Sequence, residues 1–306
     1  MRPAGWRTLG LYWRELRAPF LPASGLAVCL GASLVKYRTG GWDWPLVLAC
    51  LFGVGALHAG ANVLNDYGDH RGGSDAANTT FVRPFTGGSR LIQQGLLRPG
   101  AVLVYGLVLL GIGAVAGLWL ASQRGPGVLL FAAAGLVAGL GYSVPRFGWA
   151  ALGAGEIVTG LAFGLLPVAG TCYVLGGTVP PEAILLALPV TVLIAAVLFI
   201  NQFQDSAADA AVGKRHWVVR LGRRRSARVY VALLVLWMPL LLAGTAWRGL
   251  PGALGWALAP GILAVPAARL ARRHYDHPAE LAPANRLTIA LHHLVTAALC
   301  AILLLS

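Results

Sequence analysis

Five of the 11 acidic residues in this 306-residue chain fall in two short segments of similar layout. The first reads Asn65-Asp66-Tyr67-Gly68-Asp69 and continues to Asp75; the second reads Asn201-Gln202-Phe203-Gln204-Asp205 and continues to Asp209. Both contain Asn-x-x-x-Asp followed by a further Asp. On a helix, positions i and i+4 share a face, so each segment would present an amide beside a carboxylate. Like charges near a helix C-terminus repel one another and oppose its partial negative charge, and cations relieve both penalties. Carboxylate and amide oxygens are hard ligands suited to Mg2+, which keeps several waters and joins a few carboxylates to substrate phosphates. Two such clusters facing each other would trap a diphosphate. Loop acids paired with nearby Arg would explain one cluster, but poorly explain a duplicated one.

The elements that must position these clusters are membrane helices. Of all residues 57% are hydrophobic and only 11% charged, against about 25% charged in soluble domains. A bilayer core of about 30 Å calls for about 20 apolar residues per helix. Nine runs qualify: 18–35, 45–64, 101–122, 127–142, 150–175, 183–203, 227–246, 253–271 and 287–305. They are too continuously apolar for barrel strands. The acidic segments close the second and sixth runs, so an even number of crossings separates them and both emerge on one face. That face also carries 20 of the 24 Lys and Arg. The positive-inside rule therefore predicts an integral protein of the cell inner membrane, with a cytoplasmic N-terminus, cytoplasmic acidic loops and an outside C-terminus. The net charge of +13 is explained by this asymmetry and by membrane lipids, with no nucleic acid required. In residues 1–17, Trp6, Leu9, Trp13 and Leu16 share a helical face while Arg7, Arg14 and Arg17 lie elsewhere, which predicts an interfacial helix. The cysteines, Cys29, Cys50, Cys172 and Cys300, are isolated in apolar runs and lack zinc or redox spacing.

With these motifs the chain resembles the UbiA superfamily of intramembrane prenyltransferases. Asn65, Asp66, Asp69 and Asp75 match its first Asp-rich pattern, and Asp205 and Asp209 match its second. Within the superfamily the chain is similar in appearance to the 1,4-dihydroxy-2-naphthoate polyprenyltransferases of menaquinone biosynthesis, through Asn65 to Asp75 and Gly213-Lys214-Arg215 to Gly222. It departs from them over Phe81 to Arg90 and at His216-Trp217, which leaves the acceptor open. The resemblance implies one all-α integral-membrane domain over residues 1–306, with nine transmembrane helices around a lateral cavity. It also implies Mg2+-dependent transfer from a polyprenyl diphosphate to an aromatic acceptor. A terpene cyclase of the same superfamily is the alternative; a cation transporter fits less well, because such sites lie near the midplane.

On this reading Asp69, Asp75, Asp205 and Asp209 bind Mg2+, with Asn65, Asp66 and Asn201 as further ligands or supports. Arg83 and Arg90 after the first motif, and Lys214 and Arg215 after the second, are candidates to grip phosphate oxygens, although each also reads as a solvated positive-inside residue. The run Tyr142-Ser143-Val144-Pro145-Arg146 is similar to a Tyr-x-x-x-Lys of the family, which implies that Tyr142 and Arg146 contact the diphosphate. Glu156 is the one acid within an apolar run, expected about two turns into the fifth helix and facing the cavity. There it would orient the acceptor or take its proton, or else be a protonated packing acid. His292 is a candidate for the acceptor pocket, with the adjacent His293 pointing elsewhere. His58 reads as a packing histidine.

Overall fold

The computed structural model describes residues 4–144, 148–247 and 249–306, with side chains from residue 9 onward. Among these residues there are helices and no strands. In chain order they are α1 (Ala4–Glu15), a 3-10 turn (Ala18–Phe20), α2 (Pro22–Thr39), α3 (Trp44–Gly72), α4 (Ser74–Ala77), α5 (Pro99–Arg124), α6 (Val128–Tyr142), α7 (Trp149–Leu152) and α8 (Gly155–Gly160). A π-helical turn (Leu161–Leu165) joins α8 to α9 (Leu166–Gly176); α10 (Pro181–Ala211), α11 (Trp217–Leu221) and α12 (Arg223–Thr245) follow. A 3-10 stretch (Gly252–Leu263) leads into α13 (Ala264–His274), and another (Pro278–Leu281) into α14 (Ala282–Leu305).

Each of the nine apolar runs maps to helix. Seven described segments are long and apolar enough to cross a bilayer, or eight if the pair Leu9–Phe20 and Pro22–Thr39, bent by 55°, counts as one span; Val128–Tyr142 is shorter. The nine-helix expectation is thus an approximate count. At its length α6 reaches only about 22 Å, short of the hydrocarbon core.

Local chemistry sets the boundaries. Asp43 caps α3, accepting from the Leu46 N–H at 3.4 Å, and Pro45 stands in the first turn, where its missing N–H costs nothing. By contrast with α6, α3 is about 43 Å long and α10 about 46 Å. Both outlast the hydrocarbon core, so the acidic segments at their C-terminal ends stand at the rim. The wide turn before Pro167 has a similarly direct cause. Proline has no N–H for the Phe163 carbonyl and crowds it; the ladder loosens, and the Leu166 N–H bonds instead to the Leu161 carbonyl, five residues back.

The core is organised around α10, which packs against α8, the π turn, α12 and α14. Phe199 and Phe203 of α10, with Tyr230 and Trp237 of α12, are its largest buried side chains. The outer surface is apolar too: Leu48, Phe52, Leu107, Val115, Leu130 and Val235 are exposed, as expected where lipid replaces water. In α1, Leu9 and Trp13 face outward, whereas Leu11 and Tyr12, with Leu16 just beyond its end, pack against Leu91, Leu97 and Val102. The predicted interfacial face therefore splits, with Leu16 turned to the protein.

Candidate active site

The inner faces of α2, α3, α5, α6, α8, α9 and α10 enclose a cavity of about 290 Å³. Most of its wall is apolar, including Val54, Leu57, Leu120, Phe131, Phe163, Val174, Ile194 and Leu198. One end is polar. There α3 contributes Asn62, Asn65 and Asp69, α10 contributes Asn201, Asp205 and Asp209, and the segment after α10 adds Lys214. A smaller polar lobe of about 50 Å³ shares Arg17, Asn65, Asp69, Asp205 and Asp209 with this end and adds Ser74, Asp75 and Asn78. The periodicity explains the convergence: 62, 65 and 69 recur on one face of α3, and 201, 205 and 209 on one face of α10.

The acids are held by protein partners. Lys214 is paired with Asp69 and lies 3.4 Å from Asp209 Oδ1. Burial alone would push its pKa down, but Asp69 and Asp209 outweigh that and raise it. Asn78 Nδ2 donates to Asp205 Oδ1 at 2.6 Å, and His216 Nε2 is 3.3 Å from Asp209 Oδ2. Asp75 accepts from Gln93 Nε2 at 2.8 Å, and Arg90 Nη1 approaches its carboxylate to 3.9 Å. Burial, followed by the charges of Asp69 and Asp66, pushes the Asp75 carboxyl up to about 8 against the opposing Arg90 and Lys214. Such a buried stack of carboxylates is what a divalent cation would stabilise. Among the described residues no three acid, His or Cys side chains already form a closed metal cluster. The donor set nonetheless fits a hard cation: five oxygen-bearing side chains, Asn65, Asp69, Asp75, Asp205 and Asp209, line one small lobe.

Asp66 lies behind this lobe and does not line it. It is 2% exposed, its Oδ2 accepts from the Ser89 N–H at 2.6 Å, and Arg17 Nη1 stands 3.6 Å from its Oδ1. The loop can approach so closely because residue 88 is glycine: its φ is +61°, and a Cβ there would come within 2.6 Å of Asp66 Oδ1.

Several expected roles change. Among the basic residues, Lys214 reaches the cavity, whereas Arg83, Arg90 and Arg215 do not line it. Arg83 Nη2 donates to the Ser89 carbonyl at 3.0 Å, within its own loop, and Arg90 donates to the Asp75 carbonyl, which ties that loop to α4. Arg215 is exposed, its backbone N–H bonded to the Ala151 carbonyl at 2.9 Å. Tyr142 lines the cavity; Arg146 lies outside the described residues.

Glu156 does not face the cavity. Gly153, at φ +75°, breaks the run, and the helix restarts at Gly155, so Glu156 stands in a first turn rather than two turns deep. Its Oε1 accepts from the Trp217 N–H at 3.0 Å, where α11 begins. A carboxylate is favourable at a helix N-terminus, and this one clamps the loop carrying Lys214 and His216. His292 is likewise corrected. It is buried in α14, which packs on α2 and α10 behind the cavity wall, and among the described residues none after His216 lines the cavity.

The motifs gave no sign of Arg17, Asn78 or His58 as site residues, yet all three line the cavity or its lobe. Arg17 sits between α1 and the first 3-10 turn with φ 52°, a left-handed conformation that costs a non-glycine residue about 1–2 kcal/mol. Asn62 Nδ2 holds the Leu16 carbonyl at 3.2 Å, and Arg17 Nη1 donates to Asn65 Oδ1 at 3.3 Å. Glu15, fully buried, accepts from Ser89 Oγ at 2.5 Å. Together they pin the end of α1 to the site.

Residues 25–303 match the UbiA prenyltransferase family. The 1,4-dihydroxy-2-naphthoate octaprenyltransferase of Escherichia coli (strain K12) is 31% identical over 226 residues, 73% of this chain and 72% of that protein. The 2-carboxy-1,4-naphthoquinone phytyltransferase of Synechocystis is 24% identical over 93% of this chain and 90% of its own length. The structure of a UbiA homolog from Archaeoglobus fulgidus bound to GPP and Mg2+ superposes with a TM-score of 0.57 at 16% identity, covering 94% of this chain and 99% of that one.

Proposed function

Because the chain belongs to the UbiA prenyltransferase family, we propose that this membrane enzyme transfers a polyprenyl group to 1,4-dihydroxy-2-naphthoate or a similar aromatic quinone precursor, releasing diphosphate with the aid of Mg2+. That it transfers prenyl groups follows from the family and its prenyltransferase relatives. The observation that carries the finer reading is the junction of a carboxylate-lined lobe with an apolar cavity through Asn65, Asp69 and Asp205. A diphosphate head and an isoprenoid tail need those two environments side by side.

The C–O bond of an allylic diphosphate breaks to leave an allylic cation and a diphosphate anion. A divalent cation held by Asn65, Asp69, Asp75, Asp205 and Asp209 would neutralise the charge on that leaving group. Lys214 and Arg17 supply positive charge at the same end, with Tyr142 beside them and Arg146 carried over from the family pattern. Asn62 and Asn201 present amides where the lobe meets the apolar wall. That wall keeps water from the allylic cation until a ring carbon of the acceptor bonds to the prenyl C1 and the ring loses a proton. Asp66, Arg83 and Arg90 hold the loop over the lobe, and Glu156 holds the Lys214 segment. The Lys and Arg asymmetry supports a cytoplasmic site in the inner membrane.

The test is mass spectrometry of products formed by the protein in lipid vesicles, given prenyl diphosphates of several lengths with and without dihydroxynaphthoate. A prenylated aromatic that requires both substrates and vanishes with EDTA is expected. A cyclic hydrocarbon formed without acceptor would overturn the reading in favour of a cyclase.

A further inference from the structure

His58 is a polar group in the apolar part of the cavity, and the chemistry above makes no use of it. It stands in α3 seven residues before Asn65, about 10 Å along the helix, and is buried yet lines the cavity. Its Nδ1 is 2.8 Å from Ser24 Oγ, and Ser24 Oγ also donates to the Leu21 carbonyl at 3.2 Å. A serine has one hydroxyl hydrogen. Both contacts hold together only if that hydrogen goes to Leu21 and the imidazole Nδ1–H donates to Ser24. In that arrangement Nε2 carries the bare lone pair, and the hydrogen bonds of the described residues give it no protein donor. The imidazole also rests on Phe163, with centroids 4.2 Å apart and planes at 32°. Phe163 belongs to the π-helical turn before Pro167, a kind of irregularity often found at functional sites.

A fixed hydrogen-bond acceptor beside an aromatic face recognises a planar molecule that carries a hydroxyl hydrogen. We infer that His58 is an acceptor-recognition residue, taking a hydrogen bond through Nε2 from an aromatic hydroxyl while Phe163 contacts the ring. The assignment rests on the prenyltransferase reading and deepens it. Ser24 is a positioning residue that acts through the imidazole.

The test measures steady-state KM for dihydroxynaphthoate and for the prenyl diphosphate in wild type, His58→Phe, His58→Gln and Ser24→Ala, with thermal unfolding to check folding. His58→Phe is expected to raise the acceptor KM about tenfold, the loss of roughly one good hydrogen bond, and leave the donor KM within about twofold. His58→Gln, which keeps an acceptor atom, should recover most of the loss, and Ser24→Ala should show a smaller rise. An acceptor with that hydroxyl methylated should bind wild type more weakly but His58→Phe no worse than the parent compound. An unchanged acceptor KM, or a rise in donor KM instead, overturns the assignment and points to contact with the tail. If His58→Phe fails to fold, the Gln and Ala variants and the methylated acceptor decide by the same criteria. A wild type that ionises the donor but prenylates no aromatic acceptor overturns the function above and this assignment with it, an outcome visible before any variant is made.

Discussion

Asp69 and Asp205 are one residue each from α3 and α10, and the candidate metal lobe needs both helices. Replacing either by Ala should lower kcat/KM for prenyl transfer by about 10²–10³, read as diphosphate release; full turnover in both variants would exclude them as ligands. Asp75 supplies a second signature. An acid raised from 3.8 to about 8 on folding stays protonated in the native state over a range where the unfolded chain has released its proton. It therefore costs the metal-free protein stability as pH rises from about 4 to 8. Thermal unfolding without divalent cations should show that decline. Because binding requires the carboxylate, Mg2+ binding should release protons below about pH 8 and strengthen with pH, and its stabilising effect should grow across the same window. A flat pH profile with and without Mg2+ would contradict the role given to Asp75.

At the scale of elements, the decisive feature is how the segment between α10 and α11 is docked. Glu156 receives the Trp217 N–H, Trp217 Nε1 donates to the Gly153 carbonyl at 2.7 Å, and the Arg215 N–H meets the Ala151 carbonyl. The restart of the helix at Gly155 thus anchors the loop that delivers Lys214. Glu156→Ala should lower turnover severalfold by loosening Lys214 and cost about 1–3 kcal/mol of stability, while the acceptor KM stays near wild type. A selective rise in acceptor KM would return Glu156 to the acceptor pocket. The acid itself was conspicuous in the sequence; its direction was not. That depended on a left-handed Gly153, which the apolar run 150–175 conceals.

For the whole molecule, the prediction concerns topology. Gly213→Cys, beside the site, should react with a membrane-impermeant thiol reagent only from the cytoplasmic side, and Ser306→Cys only from outside. The native cysteines are buried, or half-buried in the case of Cys29, and give a low background. Labelling of both positions from one side would refute the charge-based orientation and the even or odd count of crossings behind it.

Periodic apolarity, the skew of Lys and Arg and the doubled Asn-x-x-x-Asp spacing were legible in the chain, because each follows from local rules: the fixed rise and turn of an α-helix and the cost of charge in lipid. They determined an all-helical membrane protein with two acidic helix ends on one side. Tertiary structure decided which polar groups share a space. Arg17 reaches the lobe from the end of α1 and Asn78 from the end of α4, Arg83 and Arg90 turn to backbone carbonyls of Ser89 and Asp75, and His58, not His292, lines the cavity. One basic or imidazole side chain looks like another in sequence. Only the packing of α3 against α2, α5 and α6, and of α10 against α8 and α9, determines whether it meets a cavity, a carbonyl or another helix.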